Sequence, residues 1–229
     1  MSRNAFECAE LACARHLAHP GDTVIDGGAH LGLYALHLAQ QVGPAGRVYA
    51  FEPHPETRAL LSSAVALNGY RGSVSVVGSA LGATSGPGVL RSPRRCSSHG
   101  AAFLDRSTGR VSRAERLVSV GIAALDDLDI QEPVVLIKLD VEGAEFAAIR
   151  GASRLIQRDR PAIMCELSDA NLSRGAGVTS EAVMQTLAGF GYSAYEILAD
   201  GQPGARLMTA PTARVSTVLF LWRPSTVCT

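Results

Sequence analysis

Thr23-Val24-Ile25-Asp26-Gly27-Gly28-Ala29-His30-Leu31-Gly32 is the stretch that decides the fold. A short apolar run enters an acid and then glycines, so a buried strand ends in a tight turn. Leu33, Leu36, Leu38 and Val42 follow at helical spacing until Gly43-Pro44 stops them. The alternation then repeats. Arg47 to Phe51 reads as a second strand ended by Glu52-Pro53, and Pro55 to Leu67 as a helix with Asn68-Gly69 as its C-terminal signal. Val74 to Val77 is a third strand. Upstream, residues 1–22 form a helical segment, with Phe6, Leu11, Ala14 and Leu17 roughly in phase before His19-Pro20-Gly21.

Downstream, regularity fades between residues 82 and 117, where Gly, Ser, Pro and Arg dominate and hairpins are expected only around Val89-Leu90 and Val118-Val120. A stretch this long with so little pattern suggests an insert that acts as a lid. Val134 to Leu139 is nearly all apolar, as in a strand buried on both faces of a parallel sheet. A helix over about Glu142 to Gln157, a strand over Ala162 to Leu167 and a helix over about Ser180 to Ala188 follow. Tyr195 to Leu198 and Val215 to Trp222 read as a late antiparallel pair. Strands alternating with helices predict one α/β domain over residues 1–229, a doubly wound, mostly parallel sheet with ligands at the carboxyl ends of its strands.

Bulk properties narrow the function. The 229 residues are 47% hydrophobic and 18% charged, with zero formal net charge, so the chain is globular and does not gather nucleic acid by bulk electrostatics. Nearly all cations are Arg, and Lys138 is the sole lysine. No apolar run approaches the ~20 residues of a membrane span, and five cysteines without a CxxC pair suit reduced thiols. The expectation is a cytoplasmic protein that engages no membrane and no nucleic acid polymer, with its oligomeric state open, a homodimer included.

Asp26, Glu52 and Asp140 each sit where a predicted strand ends, on one rim of the sheet, with Glu166 near the end of the next strand. A dinucleotide fingerprint would need glycine where Ala29 stands, and an acid ahead of the glycines repels a phosphate. The same acid suits a ligand with an ammonium group, and Glu52 suits the hydroxyls of a ribose. S-adenosylmethionine carries both. A nucleotide-dependent oxidoreductase and a non-catalytic S-adenosylmethionine-binding protein are the rival readings.

With those residues in hand, the sequence resembles the FkbM-like methyltransferases, S-adenosylmethionine-dependent O-methyltransferases of natural-product and sugar pathways. The likeness is carried by Val24 to Gly32, by Val48-Tyr49-Ala50-Phe51-Glu52-Pro53 and by Ile137-Lys138-Leu139-Asp140-Val141-Glu142-Gly143-Ala144-Glu145, with Arg160-Pro161 ahead of a strand that holds Glu166. His30 departs from the asparagine the family usually carries. The resemblance implies a Rossmann-like class I methyltransferase sheet and a cofactor pocket of Asp26, Gly28, Ala29, His30, Gly32, Glu52, Pro53 and the backbone around Ser79 and Ala80. It also places Asp140 to Glu145 beside the transferred methyl.

The expected reaction is O-methylation of a small-molecule hydroxyl on a sugar, nucleoside or natural-product intermediate. Asp140, Glu142 and His99 are the candidate proton acceptors. Ser98, His99, Arg94 and Arg95 are the candidate acceptor contacts, and the arginines suit an anionic one. Asp140 and Glu166 end adjacent predicted strands, so a magnesium ion held between them is a further expectation. Lys138, inside an apolar strand, is read as the partner of a neighbouring carboxylate.

Overall fold

A computed structural model describes residues 3–93, 102–104, 111–211 and 215–223. The chain opens with α1 (Arg3–Leu17), β1 (Thr23–Gly27), α2 (Leu33–Val42), β2 (Arg47–Phe51), α3 (Pro55–Leu67) and β3 (Val74–Val77). A second group of strands follows: β4 (Ser79–Leu81), β5 (Gly86–Pro93), β6 (Phe103–Leu104) and β7 (Glu115–Ala123). The last part runs β8 (Val134–Leu139), α4 (Glu145–Arg150), α5 (Ser153–Asp159), β9 (Ala162–Leu167), α6 (Asp169–Ala176), α7 (Ser180–Gly189), β10 (Tyr192–Ile197), β11 (Pro203–Leu207) and β12 (Ser216–Trp222).

Eight described strands form the main sheet in the order β11-β10-β12-β9-β8-β1-β2-β3. The pairs from β3 across to β9 are parallel, and β12, β10 and β11 join antiparallel. Side chains alternate between two cores. Val24, Leu136, Val48 and Ala50 pack with Ala14 of α1, Ala35 and Leu38 of α2, and Leu61 of α3. Ile25, Ile137, Leu139 and Phe51 pack on the other face with Ile149, Ile156, Val183 and Leu187. Asp26 shares the parity of Val24, and Lys138 that of Leu136. Both therefore face the layer of α1 and α2.

The doubly wound expectation holds, with local corrections. The insert is more ordered than its composition suggests: β5 lies antiparallel to β7, with Leu90 opposite Val118, and β4 runs parallel to β7. The helix expected over about Glu142 to Gln157 starts three residues later and is two helices. Asp126, in a short 3-10 turn, accepts from the backbone N–H of Arg154 at 2.8 Å and of Leu155 at 2.9 Å, so a distant carboxylate caps α5 and splits the run. The late antiparallel pair gains a third member in β11, and α6 was not expected. Among the described residues no helix is long and apolar enough to cross a membrane.

Candidate active site

The chain leaves β1 toward β2 on one side and returns through β8 on the other, so the switch point lies between β1 and β8. Their register pairs Asp26 with Lys138. Asp26 is fully buried, and its carboxylate oxygens make only long contacts, with the Lys138 ammonium and the Ala35 N–H, and no well-formed hydrogen bond. Burial leaves it above the ordinary carboxylate range, although the Lys138 ammonium pulls the other way. That ammonium lies 3.5 Å from Asp26 Oδ1 and 3.5 Å from Asp140 Oδ2. The partner foreseen for Lys138 is thus two carboxylates. Burial alone would lower the ammonium's pKa, but Asp26, Asp140 and Glu166 outweigh it and hold it raised.

The turn after β1 is held by its neighbours. Gly28 and Ala29 donate to the Phe51 carbonyl, and Asp140 N–H donates to the Gly27 carbonyl. Gly28 has φ +78°, and a Cβ there would stand 1.8 Å from the Asp140 carbonyl oxygen, so only glycine fits between β1 and β8. His30 has φ +49°, a left-handed conformation that histidine and asparagine enter more readily than most residues. This gives the departure at position 30 a backbone reason. Glu52, 7% exposed, accepts from the His30 N–H at 3.0 Å and the His54 N–H at 2.8 Å. Burial raises its pKa against those two hydrogen bonds. Pro53 follows it, and Ser79 and Ala80 lie in β4 rather than in a loop.

Across the switch point the acids crowd. Asp140 is the residue after β8, with its side chain 39% exposed. Glu142 is not on a helix: it sits in the loop at φ +52°, and its Oε2 accepts from Asn171 Nδ2 at 2.9 Å. Glu145 opens α4 and turns back, its Oε1 accepting from Val141 and Gly143 N–H at 3.1 Å each. It shapes the loop, and burial pushes it up to about 7. Glu166, beside Asp140 on the neighbouring strand β9, is pushed up to about 8 by burial and then by Asp140, Glu142 and Glu145. Glu166 thus holds its proton at neutral pH. Among the described residues no group of three His, Cys, Asp or Glu converges to hold a metal, so the magnesium expectation gains no third ligand.

Tyr34 and Glu10 escaped the sequence reading. Tyr34 of α2 lies under the Lys138 ammonium, 4.8 Å from ring centroid to Nζ, and donates its hydroxyl to Glu10 of α1 at 2.9 Å. The available signal was an acid at position 10 on the apolar face shared with Ala14 and Leu17. His54 is buried, with Nε2 3.2 Å from Arg116 Nη2. In the insert, Arg91 pairs with Glu115 and Arg116 with Glu56, so these two arginines already have carboxylate partners. Arg94, Arg95, Ser98 and His99 lie outside the described residues.

Residues 26–194 match the family described as the Methyltransferase FkbM domain. A curated relative, the protein-L-isoaspartate O-methyltransferase of Aeropyrum pernix, is 45% identical over 58 residues, 25% of this chain and 22% of its own. Among solved structures, the FkbM methyltransferase from Methylobacillus flagellatus aligns over 91% of this chain and 49% of its own, with 17% identity and a TM-score of 0.53. A putative rRNA methylase from Clostridium thermocellum aligns over 90% and 89%, with 14% identity and a TM-score of 0.55. The chain therefore spans about a fifth of the curated relative and half of the first of these structures, and the structural likenesses establish the fold.

Proposed function

The chain belongs to the FkbM methyltransferase family, which uses S-adenosylmethionine, and from that premise we propose that it O-methylates a hydroxyl of a small molecule. The observation that carries the cofactor side is Asp26: a fully buried carboxylate without a well-formed hydrogen bond at either oxygen, at the switch point of the sheet. That donor set fits the cofactor's amino-acid end. Gly28, where a Cβ would be obstructed, keeps side-chain bulk out of the first turn, and Ala29, His30 and Gly32 complete it. Glu52, with Pro53 behind it, retains lone pairs for ribose hydroxyls beyond the two backbone donors it already serves. Ser79 and Ala80 follow β3 on the same side. When bound, the cofactor supplies a methyl group on a cationic sulfur, which departs as a neutral thioether once an acceptor oxygen takes the methyl.

The chain's own groups supply the proton handling. Glu166, held up to about 8, keeps the proton of the acidic pair at neutral pH. Lys138 gives the negative charge a counter-ion on the Asp140 side. Environments that separate two adjacent carboxylates in this way divide acceptor from donor. Asp140, the more open of the pair, is the proton acceptor for the substrate hydroxyl, and Glu166 donates a hydrogen bond to it. Glu142, fixed by Asn171, lines the entrance. His99, Ser98, Arg94 and Arg95 are the sequence's candidates for contacts to the acceptor.

Asp140 and Glu142 on the acceptor side, with Arg91 and Arg116 already engaged, favour a neutral, polyhydroxylated acceptor over the anionic one suggested by the arginine-rich insert. The test is incubation with S-adenosylmethionine and panels of neutral, phosphorylated and nucleotide acceptors, read by mass spectrometry. A gain of one methylene on a neutral hydroxyl acceptor is expected. Methylation confined to nitrogen or carboxyl acceptors refutes O-methylation of a hydroxyl, and turnover confined to phosphorylated acceptors refutes the charge argument.

A further inference from the structure

Lys138 is the chain's sole lysine, and it is placed where a charge is costly. Its side chain is 8% exposed. Beyond its two carboxylates, its ammonium donates to the Gly28 carbonyl at 3.4 Å and lies over the Tyr34 ring. The groups that face it come from every neighbouring element: Asp26 from β1, Asp140 at the end of its own strand, Tyr34 from α2 and Glu166 from β9. Glu10 of α1 adds its charge through the Tyr34 hydroxyl. One ammonium serves two carboxylates that lie in different halves of the site.

We propose that Lys138 is a positioning residue that couples the cofactor half of the site to the acceptor half, its ammonium divided between Asp26 and Asp140. The inference rests on the methyltransferase reading above. A ligand cation brought to Asp26 supplies that buried carboxylate with a second counter-charge and repels the ammonium already there. Lys138 then moves its attraction to Asp140, and the proton acceptor becomes fixed only when the cofactor half is filled. A buried ion pair with a purely structural role would stay where it is. The 3.5 Å distances to both carboxylates are ion-pair contacts longer than an ordinary charge-assisted hydrogen bond, so the ammonium is not committed to either side.

Because the chain has a single lysine, labelling its side-chain nitrogen with ¹⁵N gives one ammonium resonance in the full protein. S-adenosylhomocysteine carries the amino-acid end and methylthioadenosine lacks it, while both carry the adenosine. S-adenosylhomocysteine should move the resonance and methylthioadenosine should not. Asp26→Asn, which removes one claim on the ammonium, should place the resonance of the ligand-free protein near its liganded wild-type position. Lys138→Met should lower kcat roughly 10–100-fold, the scale of a misplaced reacting group, with methylthioadenosine affinity unchanged. If that variant does not fold, the wild-type resonance still decides. A resonance that ignores S-adenosylhomocysteine while calorimetry registers its binding overturns the coupling, as does an equal shift with methylthioadenosine. No binding of S-adenosylhomocysteine at all overturns the cofactor reading, and the coupling with it.

Discussion

Replacing Glu166 by Gln should change how the stability of this protein depends on pH, and the structure sets the sign. Burial and the carboxylates of Asp140, Glu142 and Glu145 move Glu166 from an ordinary 4.5 up to about 8. Between those values the folded chain binds a proton that the unfolded chain has released. Stability is therefore fully present below the unfolded value and is lost as pH rises through the folded one. Each unit is worth ~1.4 kcal/mol, which bounds the loss at about 5 kcal/mol. The side chain is partly exposed and stands among other carboxylates, which reduces the expected loss to on the order of 1–3 kcal/mol. Glutamine keeps the shape and donor of the protonated acid without a charge to develop. Urea unfolding from about pH 5 to about pH 8.5 should show wild-type stability falling by that amount, and E166Q falling less. E166Q will retain some slope, because Glu145, pushed up to about 7, acts in the same direction. Two parallel curves would show that Glu166 titrates like an ordinary surface acid and would remove its proton from the mechanism.

Glu52→Ala should weaken S-adenosylhomocysteine binding by about 1.5–3 kcal/mol in calorimetry, the range for a lost charged hydrogen bond. It should also lower Tm, because the His30 and His54 N–H groups lose their acceptor; unchanged affinity in a folded variant removes Glu52 from the ribose role. Asp140→Asn should lower single-turnover rates by roughly 10²–10⁴; rates near wild type would transfer the proton-accepting role to His99. Exhaustive EDTA treatment should leave turnover intact, because Glu166 holds its proton at neutral pH and Lys138 already serves Asp140. Activity lost in the chelator and restored by magnesium would reinstate the ion between those two acids.

What the sequence revealed and what it hid differ in range. Strand ends at Asp26, Glu52 and Asp140 were legible because an apolar run that ends in an acid shortly before a glycine or proline is a local signal. The parity that sends Asp26 and Lys138 to one face was not local, because both strands are buried on both faces and only the register of β1 against β8 sets the two side by side. The split between α4 and α5 was not legible: residues 142–157 read as one helix until Asp126, 28 positions before Arg154, supplies the second N-terminus. The small sheet was only partly legible: hairpins were expected around Val89-Leu90 and Val118-Val120, which lie opposite each other in β5 and β7, but their extent was not. Its strands β5 and β7 expose much of their surface, so glycine, serine and arginine blur the alternation that a two-sided core would enforce.

The charge arrangement follows the same division. Lys138 in an apolar strand already implied a carboxylate partner, but its position 110 residues from Gly28 left the choice of partner to the strand order. Pairing β8 with β1, more than a hundred residues earlier in the chain, brings one ammonium between two carboxylates. The adjacent pairing of β8 with β9 lets Glu166 crowd Asp140. Neither acid is unusual in isolation. Parallel strands that end at the same level collect the residues that follow them, and a doubly wound sheet does so most strongly at its switch point. The opposition of Lys138, Asp26, Asp140 and Glu166 is therefore a property of topology acting on residues whose individual signals were modest.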